Sequence, residues 1–432
     1  MSLSKRSARL AACTSLVLTV AACGTGGSGT SSAGAGSLQT GPGIDVANKT
    51  ITVGIISPLT GIAAAIGAPL TKGQEAYFKH VNDNGGIDGW KVNYIEKDDQ
   101  YNPQLHVQFF NELLPQIALL AQSLGSPTTA AIEPQADSAK LVVGAAAQSS
   151  AFVNDPSMAV IGTPYAVDMA NGIDYVVNQK GNTTAKLALF YQNDDYGADG
   201  VKGYNAAKTA YHFNDVGQVS YNLTDADLTG QAHTLQASGA DYVFVTALPS
   251  FAAKLVGTAA AMGYFPHWVF QGPAWSEYLM TSDGSSSGTK TAVFPVLSGA
   301  AGGSTWVLGY EAGWGDTSVS GMSQFLADQQ KYFPSQVPDG YFMYGYCMAQ
   351  MEVEVLRKAI AGSDLSRQGI LNAKLNLGTV DFGGLIPSLT YSPQLGPADR
   401  ETDIAQVDPA SPGFLKIIKP YFESSAAKSL AL

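Results

Sequence analysis

Charge is scarce in this chain of 432 residues. Asp, Glu, Lys and Arg together make up 14% of it, and 24 basic against 35 acidic residues leave a formal charge of −11. Phosphate backbones are gripped by basic faces, so nucleic acid is not an expected partner. Cysteine is scarcer still: three residues exclude a disulfide scaffold. Long apolar runs are missing too, since the one from Leu10 to Ala22 is shorter than the roughly 20 residues a spanning helix needs. No G-x-x-x-x-G-K-[ST] phosphate loop occurs, and Pro58-Leu59-Thr60-Gly61, after the first strand, lacks the G-x-G-x-x-G of dinucleotide sites. The five histidines, His80, His106, His212, His233 and His267, have no i, i+4 pairing and no cysteine partners. Neither a metal nor another cofactor is therefore expected. Against these absences stands a hydrophobic content of 45%, ample apolar surface to bury, in a chain long enough for two domains.

Lys5, Arg6 and Arg9 precede the apolar run, the layout of a signal sequence, and 1–22 is read as a lipoprotein signal peptide. The run closes on Val20-Ala21-Ala22-Cys23-Gly24, which resembles a bacterial lipobox, whose cysteine becomes the lipidated N-terminus. Cleavage before Cys23 removes three positive charges, taking −11 to −14, and leaves Cys347 as the remaining thiol. That residue sits in an apolar helical stretch, where a buried, unreactive cysteine is expected. Gly, Ser and Thr dominate Gly24 to Gly43, and 23–47 is expected to be a flexible tether. Together these segments describe a globule held outside the cell by a lipid anchor in the membrane.

From Ile51 onward short apolar runs alternate with helical patterns. Ile51–Ile56, Val92–Glu96, Ala118–Ser123, Leu141–Ala145 and Met158–Ile161 read as strands. A second series follows at Leu187–Tyr191, Val216–Tyr221, Tyr242–Thr246 and Trp268–Phe270. Helices are expected over Pro69–Asn84, from Asn102-Pro103, and over Ala198–Tyr211, Phe251–Met262 and Tyr341–Ile360. Such alternation predicts an α/β fold with two parallel sheets, each covered by helices on both faces. Ligands of open parallel sheets sit beyond the carboxyl ends of the strands, among loops and helix N-termini. Gly284-Ser285-Ser286-Ser287-Gly288 fits the G-x-S-x-G of a nucleophile elbow, but it lies in a polar loop with no strand before it. Asp98-Asp99 and Asp194-Asp195 are paired acids at strand ends, read as turn-capping groups. No catalytic residue is assigned, and an enzyme is not expected.

Three loops, Ile55-Ile56-Ser57-Pro58-Leu59-Thr60-Gly61, Val81-Asn82-Asp83-Asn84-Gly85-Gly86-Ile87-Asp88-Gly89 and Asp98-Asp99-Gln100-Tyr101-Asn102-Pro103, occur in that order. Leu124-Gly125-Ser126, Gln192-Asn193-Asp194-Asp195-Tyr196-Gly197, Ala240-Asp241-Tyr242-Val243-Phe244 and Gln271-Gly272-Pro273 follow. From Ile51 to Pro273 the series resembles type I periplasmic solute-binding proteins, in particular the branched-chain amino acid (Leu/Ile/Val) binding proteins of ABC transporters. The resemblance implies two Rossmann-like lobes joined by a three-strand hinge, closing on one small ligand in Venus-flytrap fashion. It implies lobe 1 over 48–167 and 309–397, lobe 2 over 168–308 and 398–423, and a flexible tail over 424–432. It also implies a monomer that captures an amino acid or related carboxylate for a membrane ABC permease. Carried onto this sequence, Ser126 and Ser149 hold the ligand carboxylate, the Ala147 carbonyl takes a ligand ammonium, and Tyr196 closes over from the second lobe.

The chain also departs from that family. Members that bind amino acids usually carry an acidic residue after the Gly-Pro of the second lobe, where this chain has Ala274 and then Trp275. Ile66 and Leu248 stand where aromatic residues are common. A buried ammonium without a carboxylate partner is costly, and Glu277 or Asp195, neither at the family position, would have to substitute. The expected cleft is therefore more apolar and less acidic than an amino-acid site, with Trp275 and Tyr165 as ring walls. The alternative ligand is an aromatic or organic acid, or an amide, lacking an α-ammonium. A further alternative is a ligand module feeding a sensor instead of a permease.

Overall fold

Leu120–Leu124 and Tyr242–Thr246 are buried along their whole length, as parallel strands covered on both faces must be. The structure, a computed structural model, describes residues 38–393 and 399–432. The signal peptide 1–22, the lipidation site Cys23 and the tether up to residue 37 lie outside the described residues.

Two short strands come first, β1 (Gln39–Thr40) and β2 (Ile44–Asp45). The first half continues with β3 (Thr50–Ser57), α1 (Ala64–Asp83), β4 (Lys91–Asp98), α2 (Pro103–Leu113), β5 (Leu120–Leu124), α3 (Ser126–Ala139), β6 (Val143–Ala146) and β7 (Met158–Val160). The second half begins with α4 (Tyr165–Asp174), β8 (Lys186–Gln192), α5 (Asp195–Tyr211), β9 (Asn214–Tyr221), α6 (Thr229–Ser238) and β10 (Tyr242–Thr246). It goes on through α7 (Pro249–Ala261), β11 (His267–Phe270), α8 (Phe294–Leu297) and β12 (Thr305–Gly309). The chain then returns to the first half with α9 (Met322–Tyr332), α10 (Gly340–Ala361), β13 (Asp364–Leu365), α11 (Arg367–Leu375), β14 (Gly378–Val380) and β15 (Leu389–Tyr391). It ends on the second half with β16 (Thr402–Val407), β17 (Leu415–Phe422) and α12 (Ser425–Ser429).

The first sheet runs β4-β3-β5-β6-β7, all parallel, with β2 antiparallel beside the start of β3. The second runs β17-β16-β12-β11-β10-β8-β9, parallel from β12 to β9, with β16 and β17 joined through antiparallel pairings. Helices α1 and α10 pack on one face of the first sheet and α2 and α3 on the other. In the second half, α4, α5 and α12 take one face and α6 and α7 the other. This is the two-sheet α/β architecture that the alternation predicts. The chain passes between the halves three times, over 161–164, after Gly309, and between Tyr391 and Thr402.

Element boundaries differ where turn chemistry misleads. Helix α1 begins at Ala64, ahead of Pro69, because Gly67 backs onto the Pro58 carbonyl (a Cβ there would stand 2.3 Å from it) and holds an extra N-terminal turn. Val167, the expected end of the first lobe, lies inside α4, which packs with α5 and β12. The expected tether is corrected over its last ten residues. There β1 pairs with β13 and β2 with β3, and Leu38 and Ile44 lay apolar side chains on the core. The flexible tail over 424–432 is corrected as well. Ser424 caps α12 by accepting from Ala427 N–H, Ala426 and Ala427 are fully buried, and Asn154 Nδ2 donates to the Leu432 carbonyl at 2.5 Å. Small residues suggested fraying, but their size is what lets α12 sit close against α4 and α5.

Helices α1 and α10 meet at two glycines. A Cβ on Gly73 would lie 1.9 Å from the Phe342 carbonyl oxygen, and one on Gly345 would lie 1.9 Å from that of Leu70. This backbone contact fixes the N-terminal turn of α10 against α1. Gly73→Ala and Gly345→Ala overpack the crossing, and each is expected to cost about 1–3 kcal/mol in urea denaturation. Unchanged midpoints in both variants would contradict so close a contact.

Candidate ligand-binding site

The parallel strands of the first sheet all end on one side, and there β5 hands over to α3. Gly125 makes the turn at φ +101°, with the Tyr101 ring 2.5 Å from where a Cβ would be, so only glycine fits. Ser126 is then the first residue of α3, 1% exposed, and its Oγ has no hydrogen-bond partner within the protein. The hydroxyl does not cap its own helix.

Beneath Ser126 runs a line of buried polar groups. His106 Nδ1 donates to Asp99 Oδ2 at 2.6 Å, His106 Nε2 meets Ser123 Oγ at 2.9 Å, and Ser123 Oγ meets Thr129 Oγ1 at 2.7 Å. The carboxylate fixes the Nδ1–H tautomer, so Nε2 accepts from Ser123. Acid, imidazole and hydroxyl stand in the order of a hydrolytic triad, yet all are fully buried beneath packed elements. Their effect is to tie the end of β4, α2, β5 and the first turn of α3 into one unit under Ser126. Asp98 latches the neighbouring loop, accepting from Leu59 N–H at 2.9 Å and from the Thr60 hydroxyl at 2.6 Å. Asp194 caps α5. Both acid pairs thus contribute the turn chemistry expected of them.

Facing Ser126 is a cavity of about 140 Å³ between the halves. Of the residues expected at the site it brings together Ser126, Tyr196, Trp275, Ile66 and Leu248, and Tyr165 stacks edge-to-face on Tyr196 at 4.7 Å. Tyr196 OH and Trp275 Nε1, like Ser126 Oγ, are buried and have no partner within the protein. Burial holds the Tyr196 phenol well above its ordinary pKa, so it remains a donor. Contacts bridge the cleft: Tyr341 OH donates to the Trp275 carbonyl at 2.6 Å and Ser250 Oγ to the Ile62 carbonyl at 3.4 Å.

Ala147, Ser149 and Ala274 do not line this cavity. Side chains alternate beyond the end of β6, so Ala146 and Gln148 face inward. Ala147 packs with Ile56 and Phe152 on the far side, and Ser149 Oγ accepts from Ala151 N–H at 3.3 Å in a local turn. Ala274 is fully buried, its N–H donating to the Gln271 carbonyl at 2.7 Å.

The expectation of a less acidic cleft is corrected. Glu277, Glu311, Asp339 and Asp403 all line the cavity, and no Lys, Arg or His does among the described residues. Burial, reinforced by neighbouring carboxyls, pushes Glu277 and Asp403 well above the usual carboxylate range and Glu311 to about 7. Asp168, behind them, is raised to about 8, again by burial. Of these, sequence reasoning named Glu277 as a substitute acid and missed Glu311, Asp339 and Asp403, because the four come from separate segments.

Two α/β halves, three crossings and one shared cavity with unpartnered donors define a two-lobed solute-binding protein. A profile of the family described as periplasmic binding protein matches residues 50–412, and the chain belongs to that family. An amino acid binding protein of Pseudomonas aeruginosa is 23% identical over 240 residues, 54% of this chain and 63% of that protein. The chain therefore spans under two thirds of that relative. Leu/Ile/Val-binding protein homolog 7 of Brucella abortus is 22% identical over 353 residues, 78% of this chain and 84% of its own. Among solved structures, a fatty acid ABC transporter substrate-binding protein from Thermomonospora curvata is 28% identical, with a TM-score of 0.82, covering 91% of this chain and 97% of that one. A branched chain amino acid ABC transporter from Thermus thermophilus with bound valine, 16% identical, shares the fold at a TM-score of 0.74 over 88% and 98% of the two chains. These are binding proteins, and the reading of this chain as a binding protein rather than an enzyme stands on them.

Removing either end of the buried line under Ser126 strands a partner. Asp99→Ala or His106→Leu is expected to lower stability by about 1–3 kcal/mol in urea unfolding. A variant as stable as the parent would show that the line carries no structural load.

Proposed function

We propose that the chain is an extracytoplasmic solute-binding lipoprotein, anchored through Cys23, that captures a small carboxylate with an apolar body and passes it to an ABC permease. The observation that carries this reading is the trio of buried donors around one cavity, Ser126 Oγ, Tyr196 OH and Trp275 Nε1, each without a protein partner. A carboxylate offers the acceptors that all three lack, and the free N–H groups and dipole at the start of α3 add to its hold without a basic side chain. Ser126 belongs to the first half and the other two to the second. A ligand touching all three therefore binds the shut arrangement better than the open one, which is what drives hinge closure.

The walls beyond the donors are apolar, with Ile66, Leu70, Leu124, Leu248 and Met343 among them. A hydrocarbon body buried there gains roughly 25 cal/mol per Å². The names of the relatives support the same chemistry, since leucine, isoleucine, valine and fatty acids are all carboxylates with an apolar part. The transporters in those names are the ground for the permease.

Calorimetry with leucine, 4-methylpentanoate and octanoate, beside mass spectrometry of whatever co-purifies, separates amino acids from ammonium-free acids. Ser126→Ala is expected to weaken the tightest of them roughly 10- to 100-fold, the range for a hydrogen bond to a charged group. An undiminished affinity would sink the carboxylate reading. Cys23→Ser is expected to move the protein from the membrane to the soluble fraction, and a variant still sedimenting with membranes would remove the anchor.

A further inference from the structure

Glu277 and Asp339 meet across the cleft. Glu277 sits in the loop after β11, in the second half, and Asp339 caps α10, in the first. They are 2% and 1% exposed, line the same cavity, and stand side by side. Asp339 Oδ1 accepts from Phe342 N–H at 3.1 Å, while its Oδ2 and Glu277 Oε2 have no partner meeting hydrogen-bond geometry. The groups facing the pair are Glu311, from the crossing after β12, the phenols Tyr278 and Tyr341, and Lys72, an exposed residue of α1 that acts on Asp339 from a distance. Asp403, on β16, faces Glu311. No cation reaches between the two carboxyls among the described residues.

We propose that Glu277 and Asp339 form a proton-binding latch: closing the cleft takes up a proton between them, so closure and ligand capture are favoured as pH falls. When the halves part, each carboxyl returns to water and ionises at its ordinary pKa. When they shut, two carboxylates would be buried against each other, which is unfavourable unless one is protonated. Burial raises both groups above their usual range in the shut form, Asp339 to about 7, and the Asp339 charge adds to the rise of Glu277. The shut form thus holds more protons, so its advantage is full only below the ordinary carboxylate range and is lost progressively as pH rises from there through the raised values. Placing an anionic ligand in the same cavity strengthens the demand for that proton, so the coupling to capture rests on the carboxylate reading. The latch itself does not.

The test uses the mature chain, kept free of lipid by Cys23→Ser, in small-angle scattering without ligand from pH 5 to 8.5. The parent is expected to be compact at pH 5 and to expand through the neutral range. Glu277→Gln/Asp339→Asn, whose amides are neutral and can pair with each other, is expected to stay compact throughout, and Asp339→Asn alone serves if the double variant does not fold. Parent scattering that ignores pH, or a variant that follows the parent's transition, overturns the latch. Calorimetry of leucine and octanoate in phosphate and Tris buffers at pH 7 then counts protons, with net uptake expected on binding. Proton release, the mark of a cationic group seated between the acids, overturns the proposal. Failure of every carboxylate to bind counts against the carboxylate reading alone, and the scattering then decides the latch by itself.

Discussion

A hydroxyl shut away from water without an acceptor costs about 1–3 kcal/mol, and Ser126 is held in that condition by everything around it. Gly125 cannot carry a side chain without striking Tyr101. Thr129, one turn into α3, is bound to Ser123, and through it to His106 and Asp99. The helix start is thereby pinned to three other elements and cannot rotate to hide the hydroxyl elsewhere. An unpartnered donor kept in place by a satisfied network is what the proposed carboxylate site requires.

The same logic governs charge. A sequence with few basic residues lines its cavity with none among the described residues, leaving neutral donors beside carboxyls whose pKa values burial raises. In a water-poor cleft both choices avoid an isolated buried charge, which no nearby cation could compensate. Glu311 lies on the crossing after β12, Asp403 on β16, and Glu277 and Asp339 on opposite halves, so the buried carboxyls gather where the two halves meet.

Most of the fold was legible because it rests on periodicity. The apolar runs at Ile51–Ile56 and Tyr242–Thr246 have too few polar positions to be anything but central strands, and they appear as β3 and β10. Ser126 and Tyr196 lie in the first turns of helices just beyond strands and line the cavity. Ser149 and the Ala147 side chain turn away from it, because one step along an extended chain turns a side chain to the opposite face. Glu277 was within reach of the sequence, three residues beyond Ala274, but Asp339 was missed, because only the packing of α10 on α1 brings it opposite Glu277. His106 looked isolated because Asp99 and Ser123 reach it from β4 and β5. The small residues of α12 carry no hydrophobic pattern strong enough to announce that they are buried.

What remains is why the halves would move at all. Bridges across the cleft include Tyr341 to the Trp275 carbonyl, Ser250 to the Ile62 carbonyl at a long 3.4 Å, and near the first crossing the Ser150 N–H on the Asp199 carboxyl at 3.0 Å and Lys202 Nζ on Ser150 Oγ at 3.1 Å. Each neutral bond contributes about 0.5–1.5 kcal/mol net, so protein contacts alone leave the two arrangements close in free energy. Turning a population from 1:99 to 99:1 takes about 5.5 kcal/mol of differential affinity. On the carboxylate reading proposed above, two donors from the second half would each contribute about 1.5–3 kcal/mol to a charged acceptor, with apolar burial against Leu248 and Trp275 adding to it. Contacts made to the first half alone shift nothing, because they are present in both states, so on that reading the preference for the shut form would rest on Tyr196, Trp275 and Leu248.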